Sequence, residues 1–252
     1  MLDYLRKFFD KEIPILMYHR LVLNSDEDSV NIIHLSKEKF EDQLIYLKEN
    51  NFETITFQDL KNISLNERRK GKYIILTFDD GYEDNYTILY PLLKKYNMKA
   101  VIYLVSDIDY NKWDVEELGE KALNLLSKEQ ILEMNNSGLV EFGGHTKNHV
   151  KLDTLSKDEQ YKEIKENKLY LEKILNRELL SFAYPYGRFN DISKEVVKEV
   201  GYTYGIATNK GDFFIETDPY EVRRIGIFSD ITLSKFKRRV AGKYNGKYRR
   251  KK

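Results

Sequence analysis

Lys72-Tyr73-Ile74-Ile75-Leu76-Thr77-Phe78-Asp79-Asp80-Gly81-Tyr82 is an apolar run that stops on two carboxylates and a glycine. The Ile74-Ile75-Leu76 centre reads as a buried strand over Lys72–Phe78. Working outward, short apolar runs alternate with longer amphipathic stretches. Ile13–Tyr18, Phe52–Ile55, Ala100–Val105, Val140–Phe142, Leu180–Ala183, Tyr204–Ala207 and Val222–Ile225 read as strands. Helices are expected over Ser36–Asn50, Phe57–Asn62, Tyr86–Tyr96, Ser127–Asn136, Ser156–Leu175, Asp191–Val200 and Thr232–Val240. Ser36 is a plausible N-cap, with Phe40, Leu44 and Leu47 at helical spacing behind it, and Ser156-Lys157-Asp158-Glu159 is a capping box. Strands alternating with helices imply right-handed βαβ units and a mostly parallel sheet. The expected class is α/β, a distorted or incomplete (β/α) barrel of about seven to eight strands, with an open doubly wound sheet as the alternative. In either, chemistry belongs just past the C-terminal ends of the strands.

The totals set limits on function. The 252 residues suffice for one large α/β domain, and four prolines with no low-complexity seam make one domain the default, over residues 13–240, after an extension at 1–12 and before a basic tail at 241–252. Cysteine is absent, which excludes disulfides, thiolate metal sites and a cysteine nucleophile. The net charge of +1 conceals ten Lys/Arg and no acid from Lys235 onward, which leaves −9 for residues 1–234. Without a nucleic-acid fold signature the basic end reads as a solvated terminus, and no nucleic-acid partner is expected. No apolar run approaches a membrane span, and Met1–Asp10 has no apolar centre or cleavage site. The expectation is a cytoplasmic protein, with the Leu2-Leu5-Phe8-Phe9 stretch and the basic tail leaving room for weak peripheral contact with anionic lipid.

Two segments carry chemistry. Asp79 and Asp80 sit where a strand runs out, and neighbouring side chains on a strand point to opposite faces, so the two carboxylates can take different roles. His145 and His149 follow a strand and the pair Gly143-Gly144; on a helical turn, positions four apart share a face, and both imidazoles could reach one ion. Two imidazoles and one carboxylate hold a divalent metal with positions open for water and substrate. Tyr184-Pro185-Tyr186-Gly187, after another strand, is a tight turn whose aromatic faces suit a sugar ring and whose N–H can face an oxyanion. His19 lies directly after the first strand on the same expected rim, whereas His34 falls in a polar connection.

Over roughly residues 13–230 these motifs resemble the polysaccharide deacetylase family, the NodB-homology enzymes of carbohydrate esterase family 4. The resemblance implies a NodB-like barrel in which Asp79 is the catalytic base, Asp80, His145 and His149 are metal ligands, and the Tyr186 N–H helps hold the oxyanion. It also implies Tyr82, Tyr184 and Pro185 as substrate contacts. Ile15-Leu16-Met17-Tyr18-His19-Arg20 and Glu141-Phe142-Gly143-Gly144-His145 are similar to the poly-N-acetylglucosamine deacetylase branch, where a histidine near the N-terminus takes the general-acid place, here His19. Two features depart from the pattern. Ala183 stands where the family carries an Arg that orients the base, with Arg223 or Arg224 as candidate replacement cations. The family's Asp-x-x-Asp-Trp segment has no counterpart, the only tryptophan being Trp113.

The implied reaction is metal-dependent hydrolysis of N-acetyl groups on an N-acetylhexosamine-containing glycan, with zinc (Zn) as default ion and Co, Ni or Fe also suited to nitrogen and oxygen ligands. The rival readings are a deacylase of another small amide or ester, a non-haem iron oxygenase using the same donor set, and a catalytically weak glycan-binding domain. The sequence leaves the sugar, its linkage and the oligomeric state open.

Overall fold

The computed structural model describes residues 13–23, 32–208, 211 and 215–241. The expected N-terminal extension, the Leu2–Phe9 stretch and the basic tail beyond Ala241 lie outside the described residues. In chain order the elements are β1 (Ile15–Tyr18), β2 (Arg20–Val22), β3 (His34–Ser36), α1 (Lys37–Glu49), β4 (Glu53–Thr54), α2 (Phe57–Asn62), α3 (Leu65–Lys70), β5 (Tyr73–Phe78) and α4 (Tyr90–Tyr96). There follow β6 (Ala100–Leu104), α5 (Lys112–Leu118), α6 (Lys128–Asn136), β7 (Val140–Gly144), α7 (Lys157–Leu175), β8 (Ser181–Ala183), α8 (Asp191–Glu199), β9 (Tyr204–Ile206), β10 (Ile225–Gly226) and α9 (Leu233–Val240).

Seven parallel strands run in the order β10-β1-β5-β6-β7-β8-β9. β4 pairs with the first two residues of β5, below the stretch that pairs with β6. The two ends of the path meet across a thin seam: Ala207 N–H donates to Val222 C=O at 2.8 Å, Val222 N–H to Gly205 C=O at 2.9 Å and Arg224 N–H to Thr208 C=O at 2.8 Å. The result is the distorted (β/α) barrel expected from the sequence. The strands are short, and β9 reaches β10 only through this irregular segment.

Strand periodicity explains what the barrel places where. Leu16, Tyr18, Ile74, Leu76, Phe78, Ala100, Ile102, Phe142 and Phe182 belong to the larger core, with Leu44, Leu93, Ile164 and Phe236 from the surrounding helices. The alternate residues Ile15, Ile75, Val101, Tyr103, Ala183 and Ile206 form a second, smaller core on the opposite face. Continuing that second register past the strand ends gives His19 after Ile15, Asp79 after Ile75 and His145 in line with Glu141 and Gly143. Period-two alternation thus turns these three side chains inward at one end of the barrel.

Local signals set the helix starts. Ser36 caps α1 by accepting from Lys39 N–H, and the Ser156–Glu159 capping box opens α7. The expected helix Tyr86–Tyr96 is split: Asn85–Leu89 is a π-helical turn that leads into α4. Buried Asn85 donates from Nδ2 to the His19 C=O at 3.1 Å, tying the widened turn to the strand end that carries His19. The parallel pair β2–β3 places His34 in a strand opposite Arg20, where the sequence suggested a polar connection. The sequence reading also missed α3 and α5, each under two turns long. Among the described residues no helix is long and apolar enough to cross a membrane.

Candidate metal centre and active site

Asp79 and Asp80 leave β5 on diverging paths. Asp80 and Gly81 both adopt φ of +74°, a left-handed conformation that costs a non-glycine residue energy and swings the Asp80 carboxylate away from the path of the strand. Beyond β7, the segment 145–149 forms a non-helical turn with positive φ at Thr146 (+65°) and His149 (+55°). The helical turn expected for the two histidines is therefore absent, and two left-handed residues bring the imidazoles together instead. The turn is pinned from α7. Buried Asn167 donates from Nδ2 to Leu104 C=O (3.0 Å) and Thr146 C=O (2.8 Å), while its Oδ1 accepts from His145 N–H (3.2 Å). One helical turn away, Glu163 accepts from the Lys147 and Asn148 N–H groups at 3.1 and 2.9 Å. Gly144 is needed for this clamp, because a Cβ there would lie 2.6 Å from Asn167 Oδ1 and 2.2 Å from the Tyr202 hydroxyl.

Asp80 Oδ1 lies 3.3 Å from His145 Nε2 and 3.2 Å from His149 Nε2, and one donor atom from each of the three buried side chains falls within 4.8 Å of the others. The donor set fits a divalent cation. His145 Nδ1 sits 2.8 Å from Ala183 C=O and donates to it, which orients the ring so that Nε2 faces the Asp80 carboxylate. Burial favours the neutral form of His149 and pulls its pKa below the usual value, an effect only partly offset by Asp80. Burial also opposes ionisation of Asp80, but the adjoining imidazoles hold its carboxyl well below the ordinary carboxylate range. Two imidazole nitrogens directed at one ionised carboxylate in a buried pocket are the donor types that ligate a divalent cation, which binds imidazole in its neutral form.

Asp79 stands outside this set. Both its oxygens face the guanidinium of Arg224, with Nη1–Oδ1 at 2.5 Å and Nη2–Oδ2 at 2.7 Å. Arg224 is fully buried and also donates to Ala207 C=O (2.8 Å) and Thr77 Oγ1 (3.0 Å). Burial pushes the Asp79 carboxyl up, yet the Arg224 charge and hydrogen bonds outweigh it and keep the group below its ordinary range. Arg224 therefore supplies the cation lacking at Ala183, and it reaches Asp79 from the seam rather than from β8. His19 Nε2 is 3.9 Å from Asp79 Oδ2.

The third motif behaves differently from expectation. Tyr186 has φ of +58°, is 39% exposed, and sets its ring against His149 with centroids 4.6 Å apart. The turn is closed by Gly187 N–H to Tyr184 C=O and Arg188 N–H to Pro185 C=O, and the Tyr186 N–H takes no part in these bonds. Tyr184, Pro185 and Tyr82, expected as substrate contacts, are all buried. The Tyr184 hydroxyl donates to Tyr220 C=O at 2.9 Å and its ring stacks on Phe189, so it secures the turn from behind. The Tyr82 hydroxyl donates to Asp114 at 2.7 Å, which fastens α5 beside the Asp80 turn. Both tyrosine rings are committed to packing, with their hydroxyls bonded inside the fold.

Sequence reasoning passed over Trp113. It lies on α5, in the connection that follows β6, and its ring stacks on His149 at 3.9 Å between centroids and 28° between planes. Its position beyond a strand's C-terminal end was the available signal. A cavity of about 550 Å³ opens beside these rings, lined by Trp113, His149, Lys151, Thr154, Tyr186 and residues around them.

The sequence profile of the polysaccharide deacetylase family matches residues 66–205. The poly-β-1,6-N-acetyl-D-glucosamine N-deacetylase of Staphylococcus aureus is 28% identical over 246 residues, covering 89% of this chain and 81% of that protein. The structure of the Streptococcus pyogenes deacetylase PplD in complex with acetate superposes with a TM-score of 0.79 at 29% identity, over 92% of this chain and 99% of that one. IcaB from Ammonifex degensii shares the fold, with a TM-score of 0.74 at 23% identity over 92% and 97% of the two chains. A barrel rim bearing a carboxylate–imidazole–imidazole cluster beside a second, arginine-clamped carboxylate, together with a profile match over more than half the sequence, places this chain in the polysaccharide deacetylase family.

Proposed function

We propose that the site hydrolyses the N-acetyl amide of N-acetylhexosamine units in a polysaccharide or glycan intermediate, using a divalent metal, zinc by default, held by Asp80, His145 and His149. Residues 13–240 form the catalytic unit in this reading. The observation that carries it is the separation of two adjacent aspartates, one in the three-donor cluster and one outside it within 3.9 Å of His19. The activity named for the Staphylococcus aureus relative supports an N-acetylglucosamine polymer as substrate class.

When bound, the ion would supply Lewis acidity at the acetyl carbonyl and lower the pKa of a water ligand from 15.7 to about 7. Asp79, ionised throughout the neutral range, accepts the proton of the attacking water. The Tyr186 N–H, free of the turn's own hydrogen bonds, donates to the oxyanion that develops on the acetyl group. His19 delivers a proton to the departing amine nitrogen. Water and amide thus yield acetate and a free amine, with proton uptake and proton return side by side.

Exhaustive chelation should abolish amine release from N-acetylated oligosaccharides, and stoichiometric Zn, Co or Ni should restore it. Activity that survives chelation with no metal detected in the protein overturns the proposal. Replacing His19 with alanine should lower kcat by about 10²–10⁴-fold. Metal content measured on the same sample should stay at the wild-type level. A near wild-type rate would remove His19 from the acid role. The parallel barrel and the Asp79–His19 pair favour hydrolysis over an iron oxygenase reading, and no 2-oxoglutarate-dependent oxygen uptake is expected.

A further inference from the structure

The two imidazoles of the cluster are held by different physics. His145 is oriented through Nδ1, which donates to Ala183 C=O at 2.8 Å. His149 is also buried, but its Nδ1 has no hydrogen-bond partner among the described residues. A ligand imidazole ordinarily gains its orientation from a hydrogen bond at the distal nitrogen. His149 instead lies against two rings, with Trp113 stacked on it at 3.9 Å and 28° and Tyr186 tilted against it at 4.6 Å and 60°. Tyr186 is partly exposed, whereas Trp113 is buried and anchored. The next residue, Asp114, takes the Tyr82 hydroxyl at 2.7 Å, and Glu117 on the same helix pairs with Lys151 at 2.6 Å, two residues beyond His149. Helix α5 is thereby braced to the Asp80 turn on one side and to the His149 turn on the other.

We propose that Trp113 is a positioning residue for the metal site, fixing the His149 ring by face-to-face stacking in place of the hydrogen bond this imidazole lacks. The inference rests on the metal reading above and extends it to a residue that makes no bond to the ion. It also assigns a purpose to the chain's only tryptophan. A rotating imidazole presents Nε2 to the ion only part of the time, so loss of the stack weakens binding without removing a ligand.

The test measures metal affinity directly, by competition between purified full-length protein and a chromophoric chelator, with Zn and Co as probes. Trp113→Ala should raise the Kd by about 10–100-fold, the range typical of lost supports behind a metal ligand. Trp113→Phe, which keeps a ring face, should recover most of the affinity. Leu125→Ala serves as control, since Leu125 belongs to the same small apolar cluster as Trp113 and Tyr82. A Trp113→Ala affinity within threefold of wild type, or an equal loss in Leu125→Ala, overturns the proposal. If Trp113→Ala does not fold, the wild-type protein still decides. Emission from the single tryptophan should be quenched as Co or Ni fills the site, and His149→Ala should abolish that response. Unchanged emission at saturating metal refutes the stack. A wild-type chain that binds no ion defeats the metal reading itself, an outcome distinct from metal binding that ignores Trp113.

Discussion

Asp79→Asn is expected to lower kcat for deacetylation by about 10²–10⁴-fold, the usual worth of a general base, while metal content remains at the wild-type level. The substitution keeps the shape of the side chain but removes its capacity to accept a proton. Asp80, His145 and His149 are untouched, and Asp79 contributes no atom to their cluster. The variant also turns an amide NH₂ toward a guanidinium nitrogen that now lies 2.5 or 2.7 Å from a carboxylate oxygen, so its melting temperature should fall as well. Metal analysis, a melt and single-turnover kinetics on one preparation separate these effects. Loss of the ion together with activity would mean that the roles of the two aspartates are reversed.

Arg224→Met should be the most damaging substitution for stability. Arg224 is fully buried and its partner Asp79 nearly so, which makes this pair unlike the exposed ion pairs on the surface. Removing one partner leaves a buried charge uncompensated and costs about 3–5 kcal/mol, a large share of the roughly 5–15 kcal/mol that holds a domain folded. The pH dependence should change with it. In the wild type, Asp79 titrates lower in the folded chain than in the unfolded one. Its stabilising contribution is therefore complete above the unfolded value near 3.9 and is lost as pH falls through the folded value. Without Arg224, burial is left to dominate and should raise the folded pKa above the unfolded one. The variant is then penalised increasingly as pH rises from about 4 toward neutrality. Melting temperatures of the two proteins, measured with metal chelated between pH 3.5 and 7.5, should approach one another in acid and diverge at neutral pH; parallel curves would contradict this account. Activity should fall too, because Arg224 holds both oxygens of Asp79, the proposed base.

The outcome for each motif follows from how local its determinants are. Ser36, the Ser156 capping box and the Ile74–Leu76 run specify structure through neighbours in sequence, and the corresponding elements form where their patterns indicate. The Tyr186 turn was visible through its Pro-Tyr-Gly chemistry, but which of its aromatic rings faces the opening was not. Tyr82 and Tyr184 carry the same residue type as Tyr186 and are buried, because a tyrosine suits an interior site once its hydroxyl is bonded, and those partners lie far away in sequence. Helix α5 escaped notice because seven residues of mixed polarity carry too little periodicity.

From the chain alone came the alternation of strands and helices, the placement of His19, Asp79 and His145 just past strand ends, and a donor set of one carboxylate and two imidazoles without sulfur. These follow from period-two geometry and from residue chemistry, which act over a few neighbours. Tertiary structure alone decided that Arg224 clamps Asp79 from 145 residues away, that left-handed backbone at Asp80, Thr146 and His149 gathers the three donor side chains, and that Trp113 lies against His149. Each of those depends on how elements distant in sequence pack together at the rim, and no local pattern encodes which residues will meet there.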